Sequence, residues 1–144
     1  MERILILCTG NSCRSQMAEG WIRHLRGDEY EPFSAGIDPS RVDPRAIAAM
    51  AEVGVDITGH HSKSVDDFVG QEFDWVVTVC DSAREQCPFF PGKTKRVHVG
   101  FADPPHLAAD AANEDEAMEH YRRVRDEIRA FVEGMPGSLE QGES

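Results

Sequence analysis

The stretch from Arg3 to Arg14 constrains this chain more than any other. Arg3-Ile-Leu-Ile-Leu-Cys8 is a short, β-branched and leucine-rich run that reads as a buried strand. A tight polar run, Thr9-Gly-Asn-Ser-Cys-Arg14, follows it. From Ser15 onward, Met17, Ala18, Trp21, Ile22 and Leu25 recur at the spacing of one helical face, with Gly27 as a stop. A strand, a loop opening on Cys8 and a helix opening on Arg14 make a unit that brings backbone N–H groups, a helix dipole and a guanidinium to one point.

That unit suits a tetrahedral oxyanion. The N–H groups of Thr9, Gly10, Asn11, Ser12, Cys13 and Arg14 can form a nest, and Gly10 and Asn11 tolerate the positive φ such a loop requires. Arg14 can grip two oxygens through its planar fork, and the same positive field favours a thiolate on Cys8, a nucleophile. Ser15 is placed to donate to the Cys8 sulfur, or to cap the helix. The bland alternative makes Cys8 a small core residue and Arg14 a surface residue.

The rest of the chain repeats the pattern. A strand is expected over Tyr30 to Ala35, and a helix from Pro44 to Val53, with Asp43 as its N-cap and Gly54 as its stop. Trp75 to Val79 reads as a buried strand ending at Cys80, and a short helix from about Asp81 to Cys87 precedes Pro88. Arg96 to Val99 is a fourth strand. Asn113 caps a long last helix with Met118, Tyr121, Val124, Ile128 and Phe131 on one face. Strands alternating with helices predict an α/β fold: one three-layer domain over 1–134, with a four-stranded parallel sheet and helices on both faces. Residues 135–144 are expected to be a flexible tail. Ligands of such sheets bind beyond the carboxyl ends of the strands, where Cys8, Cys80 and the loop after Val99 begin.

At 144 residues the chain fits one core. Its longest apolar run, Ile4 to Cys8, is far short of a membrane span, and the N-terminus lacks signal-peptide features, so a cytoplasmic protein is expected. With 15 basic against 26 acidic residues, the net charge of −11 argues against nucleic-acid binding and leaves anion capture to local dipoles. Cysteines at 8, 13, 80 and 87 do not make zinc-site pairs, so neither metal nor cofactor is expected. From spacing alone, Cys80 and Cys87 are either redox partners or core fillers. Cys13 reads as structural, and nothing demands more than a monomer.

Cys8-Thr-Gly-Asn-Ser-Cys-Arg-Ser15 with Gln16-Met-Ala-Glu-Gly20, Ser34-Ala-Gly36, Val76-Val-Thr-Val-Cys80, Asp103-Pro104 and Arg122-Arg-Val-Arg-Asp-Glu-Ile128 together resemble the low-molecular-weight phosphatase superfamily, above all its thioredoxin-coupled arsenate reductase branch. The resemblance covers nearly the whole domain. Arsenate matches phosphate in shape and charge, but its reduction takes two electrons, which a thiol pair can supply by ending as a disulfide. The resemblance implies an order: Cys8 attacks arsenic, Cys80 attacks the Cys8 sulfur as arsenite leaves, and Cys87 attacks Cys80, leaving a Cys80–Cys87 disulfide for thioredoxin. It also implies that Asp103 protonates a leaving oxygen. Asn11, Glu19 and Ser34 match residues that shape the anion loop, in relatives with help from a potassium ion. The remaining side-chain ligands of that ion fall where this chain has His61 and Lys63, so Lys63 is expected to reach Glu19 in place of the metal.

Two rival readings remain. A phosphatase acting on phosphate monoesters through a Cys8 phospho-enzyme would share Cys8, Arg14 and Asp103. It would have no use for Cys80 and Cys87, and the aromatic wall many tyrosine-specific members carry after Asp-Pro is replaced here by Pro105, His106 and Leu107. A non-catalytic oxyanion-binding module would leave all the thiols unexplained.

Overall fold

The computed structural model describes residues 1–142. Four parallel strands, β1 (Glu2–Cys8), β2 (Tyr30–Gly36), β3 (Trp75–Thr78) and β4 (Lys95–His98), lie in the order β2-β1-β3-β4. β1 is flanked on both sides, its residues Ile4 to Leu7 pairing with Trp75 to Thr78 and with Pro32 to Ala35. Six α-helices connect or follow the strands: α1 (Arg14–Arg26), α2 (Pro44–Ala51), α3 (Asp81–Gln86), α4 (Pro104–Ala108), α5 (Glu114–Glu133) and α6 (Gly137–Gln141).

Alternation along β1 explains why a central parallel strand is apolar throughout. Ile4, Ile6 and Cys8 face one core with Met17, Trp21 and Ile22 of α1 and Tyr121, Val124 and Ile128 of α5. Leu5 and Leu7 face a second, smaller core with Phe68, Phe73, Ala83 of α3 and Phe90. Both cores place the carboxyl ends of β1 and β3 side by side. The expected three-layer α/β architecture is the one observed.

Element ends differ by a residue or two from the expected ones, as fraying ends do. Two differences are larger. Pro104–Ala108 is a helix with Asp103 at its N-cap position and proline opening it, within what the sequence offers only as the loop after Val99. The flexible tail expected for 135–144 is corrected through residue 142: Met135 and Leu139 are buried, α6 forms, and the Gly142 carbonyl accepts from the His98 N–H of β4 at 3.0 Å. One leucine in a five-residue helix leaves no periodicity to read, yet its burial anchors the segment. Residues 143 and 144 lie outside the described residues.

Candidate active site

The loop from Cys8 to Cys13 has every carbonyl turned outward. Ile37, Asp38 and Ser40 donate their N–H groups to the carbonyls of Cys8, Thr9 and Gly10 at 3.1, 2.8 and 3.0 Å, and Ser62 Oγ also donates to Gly10. Gln16 Nε2 donates to the Asn11 carbonyl, and the N–H groups of Asp43 and Met17 donate to those of Ser12 and Cys13. With each carbonyl held from outside, and Asn11 at φ 48°, the N–H groups of Gly10 to Cys13 have no protein acceptor among the described residues and are left for a ligand. A cavity of about 240 Å³ lies over them, lined by Cys8, Thr9, Gly10, Ser12, Cys13, Arg14 and Asp103.

Gly36 makes this girdle possible. A Cβ there would stand 2.7 Å from the Thr9 carbonyl oxygen and 2.8 Å from the Asn11 nitrogen, so only glycine lets β2 approach the loop backbone. In the sequence this residue followed the expected strand Tyr30 to Ala35 and closed the Ser34-Ala-Gly36 motif, with no contact to the loop indicated.

A fixed series of hydrogen bonds aims a proton at the Cys8 sulfur. The Lys63 N–H can only donate, and it donates to Asn11 Oδ1 at 2.9 Å, which sets the orientation of the Asn11 amide. Asn11 Nδ2 therefore donates to Ser15 Oγ at 2.7 Å, and the Ser15 hydroxyl is free to donate to Cys8 Sγ, 2.8 Å away. Of the two roles read for Ser15, donation to sulfur is the one formed: Cys13, not Ser15, occupies the cap position.

Arg14 is 13% exposed at its side chain and donates to the Phe101 carbonyl at 3.1 Å; its Nη2 lies 3.7 Å from Asp103 Oδ2. Asp103 makes no capping bond to α4, so its carboxylate is left at the cavity wall. Burial, then Asp43, pushes the Cys13 thiol well above its ordinary range, keeping it protonated beside Cys8.

Cys80 lies two residues past β3, at the N-cap position of α3 and beside the Cys8 end of β1. Its sulfur is 3.3 Å from Thr9 Oγ1 and accepts from the Ala83 N–H at 3.5 Å, joining the anion loop to α3. Cys87 is at the other end of α3, half-buried, with its sulfur 3.5 Å from the Pro88 carbonyl. The structure thus brings Cys8, Arg14, Ser15, Asp103 and Cys80 together, and keeps Cys87 a helix length away.

Behind the loop, Glu19 accepts from Ser34 Oγ at 2.6 Å and from Arg23 Nη1 at 3.0 Å, and Lys63 Nζ lies 3.7 Å from its Oε1. Burial pushes the Glu19 carboxyl upward, but Ser34, His60, Lys63 and Arg23 outweigh it and hold it below the usual range. Burial lowers both His60 and Lys63. His60 Nδ1 meets Gln16 Oε1 at 2.9 Å, and its Nε2 lies 3.1 Å from Arg23 Nη1 and 3.5 Å from Glu19 Oε2. Sequence reasoning missed the pairing of Gln16 with His60, which lie 44 residues apart. A wider cavity of about 770 Å³ opens over Glu19, Arg23, His60 and Lys63 and is lined by no cysteine. Among the described residues, no group of three His, Cys, Asp or Glu side chains is placed to hold a metal ion, and no helix is long and apolar enough to cross a membrane.

Because the folded Glu19 carboxyl ionises below its unfolded value of 4.5, its contribution to stability is complete above that value and is lost as pH falls through the lower, folded one. Acid titration of unfolding should therefore show a steeper loss below pH 4.5 in wild type than in Glu19→Gln, which has no carboxyl to protonate. Equal slopes would show that the carboxylate gains nothing from its neighbours.

A cysteine at the end of a parallel strand, five loop residues with inward N–H groups, and an arginine opening the next helix define the class of enzymes that attack tetrahedral oxyanions through a thiolate. The chain belongs to the low molecular weight phosphotyrosine protein phosphatase family, whose model matches residues 3–143. It is 47% identical over 125 residues to an arsenate reductase of Bacillus subtilis (strain 168), covering 87% of this chain and 88% of that one. With arsenate reductase 2 of Staphylococcus epidermidis it shares 44% over 132 residues, 92% of this chain and 94% of the other. A solved structure of an arsenate reductase in the phosphate binding state superposes with a TM-score of 0.74 at 30% identity, covering 96% of this chain and 99% of that one.

Proposed function

We propose that this chain is an arsenate reductase working through Cys8, Cys80 and Cys87. The observation that carries the reading is the second thiol: Cys80 Sγ stands 3.3 Å from the Thr9 hydroxyl of the anion loop, where a hydrolase needs no sulfur. The identity of 44 to 47% with arsenate reductases supports it.

Arsenate enters the cavity with its oxygens on the loop N–H groups and Arg14. Cys8 thiolate attacks arsenic, Asp103 delivers a proton to the departing hydroxyl, and water leaves a Cys8 arsenic adduct. Cys80 thiolate then attacks Cys8 Sγ; the sulfur–arsenic bonding pair passes to arsenic, arsenite departs as arsenic(III), and a Cys8–Cys80 disulfide remains. Cys87 attacks Cys80 Sγ, returning Cys8 as thiolate. Ser15, donating to the Cys8 sulfur, stabilises it both as nucleophile and as leaving group.

The last exchange requires motion. Cys80 and Cys87 bracket six helical residues, a span of roughly 10 Å at helical rise, while a disulfide holds Cα atoms within about 7 Å. α3 unwinds as the bond forms, and the unwound segment presents it to a dithiol reductant of the thioredoxin kind. Four free cysteines fit a reducing, cytoplasmic setting with that supply of electrons.

Lys63 stands in for a monovalent cation beside Glu19. Its ammonium donates to the His61 carbonyl at 2.9 Å and faces Glu19 Oε1. Potassium should then leave activity and melting temperature as sodium does, and Lys63→Met should acquire a potassium response. A potassium-specific gain in the wild type would overturn this role.

Single-turnover arsenate reduction by the fully reduced protein tests the whole reading. One arsenite per chain with the loss of two thiols is the expected result. Brisk hydrolysis of phosphate monoesters without any arsenite would make the chain a phosphatase instead.

A further inference from the structure

A second cationic cavity lies against the segment that must unwind. It measures about 340 Å³ and sits between α3 and edge strand β4, lined by Arg84 of α3, Arg96 and His98 of β4, the Thr78 hydroxyl and the walls of Val76 and Val97. Arg96 and His98 are two residues apart on β4 and share the face opposite the buried Val97. None of the lining residues is acidic, in a chain of net charge −11.

The same side chains already tie α3 to β4. Arg96 Nη2 donates to the Cys87 carbonyl at 3.3 Å, at the C-terminal end of α3. His98 Nε2 lies 3.7 Å from Asp81 Oδ1 at its N-terminal end, while its Nδ1 meets Thr78 Oγ1 at 2.9 Å. Arg84, halfway along α3, makes no ion pair among the described residues and lines the cavity from the opposite wall. A small tetrahedral anion held there would bridge Arg84 on the helix to Arg96 on the strand, with the His98 ring beside it.

We propose that this cavity is a second oxyanion site, for inorganic phosphate or a similar tetrahedral anion, and that its occupation staples α3 to β4 and slows closure of the Cys80–Cys87 disulfide. The effect on closure rests on the relay described above; the binding does not. Unwinding α3 carries Arg84 away from Arg96 and His98, so a bound anion must surrender its charge-assisted hydrogen bonds on one side before Cys87 can reach Cys80. Closure converts the Cys8–Cys80 disulfide and the Cys87 thiolate into the Cys80–Cys87 disulfide and the Cys8 thiolate, with no net redox change, so the anion alters only the rate at which the segment rearranges. Phosphate would thus restrain the enzyme after arsenite has left, a different point from its competition at the anion loop.

Phosphate titration of the reduced protein, followed by the backbone amide resonances, should show two saturable sets of shifts, one over residues 9–14 and one over α3 and β4. In Arg84→Gln/Arg96→Gln the second set should vanish while the first persists, which also reports that the variant is folded. A double-mixing experiment then adds phosphate after arsenate has reacted and follows thiol-trapped disulfide species. Wild type should pass from Cys8–Cys80 to Cys80–Cys87 roughly tenfold more slowly with saturating phosphate, about the effect of one charge-assisted hydrogen bond. The double variant should be unaffected. Absence of the second set of shifts overturns the site, and an unchanged closure rate in wild type overturns the staple. If arsenate yields no arsenite at all, the relay fails while the titration still decides the site.

Discussion

Replacing Cys80 by serine should abolish arsenite release while leaving the anion loop able to cleave phosphate monoesters at whatever rate the wild type does. The second step asks a neighbouring sulfur to attack the Cys8 sulfur and send an electron pair to arsenic. A serine hydroxyl, almost wholly protonated near neutral pH, cannot supply that nucleophile, and it would form no disulfide to hold the two oxidising equivalents. The substitution is nearly isosteric, and the serine hydroxyl can still meet Thr9 Oγ1 and the Ala83 N–H, so folding should be preserved. Arsenate binding should persist, with Cys8 and Cys87 both titrating as free thiols after excess arsenate is removed. Arsenite appearing at the wild-type rate from Cys80→Ser would show that the second electron pair comes from elsewhere and would remove Cys80 from the relay.

Gly36→Ala should cost about a hundredfold in kcat/KM for arsenate while lowering the melting temperature only modestly. The added methyl meets backbone atoms of Thr9, Gly10 and Asn11 at under 3.0 Å, and backbone cannot rotate away as a side chain can. Either β2 or the anion loop must shift, and a displacement of about 1 Å at a reacting centre is enough for a loss of that size. The Gly36 N–H also donates to the Lys63 carbonyl at 2.8 Å, so the disturbance reaches the segment whose Lys63 N–H orients Asn11. Measured steady-state parameters should show the loss in both kcat and KM, because the loop both binds the oxyanion and aligns Cys8. An alanine variant with wild-type kcat/KM would mean that the close packing of β2 on the loop is dispensable.

The parts of the site written as local patterns were legible in the sequence. Cys8, the glycine and asparagine of the loop, Arg14 and Ser15 sit within one strand, loop and helix, so their convergence needs no long-range contact. Cys80 and Asp103 could be placed because both follow strands, and parallel strands end on the same side of a sheet. The outward-turned carbonyls of Cys8, Thr9, Gly10 and Ser12 were not legible: their donors come from 37–43 and from Ser62, segments without regular structure whose approach depends on Gly36. Gln16 looked like any polar helix residue, although it links Asn11, His60 and His61. The ordered end of the chain was missed for another reason. Met135 and Leu139 are the buried side chains of a segment otherwise polar or small, and two residues broken by Pro136 leave no period in the sequence.

That C-terminal turn also changes what the outer border of the sheet offers to other molecules. β4 is an outermost strand, and such a strand presents unpaired backbone donors and acceptors on which a second chain can add itself. Here the carbonyl of Gly142 occupies the His98 N–H, and a Cβ at Gly142 would collide with Val97 Cγ1 at 2.7 Å, so Gly142 lies flush against the border. Ending the chain at residue 134 would strip this cover and leave a short, ready template for strand addition, making the shortened protein prone to self-association even where its catalytic loop is untouched.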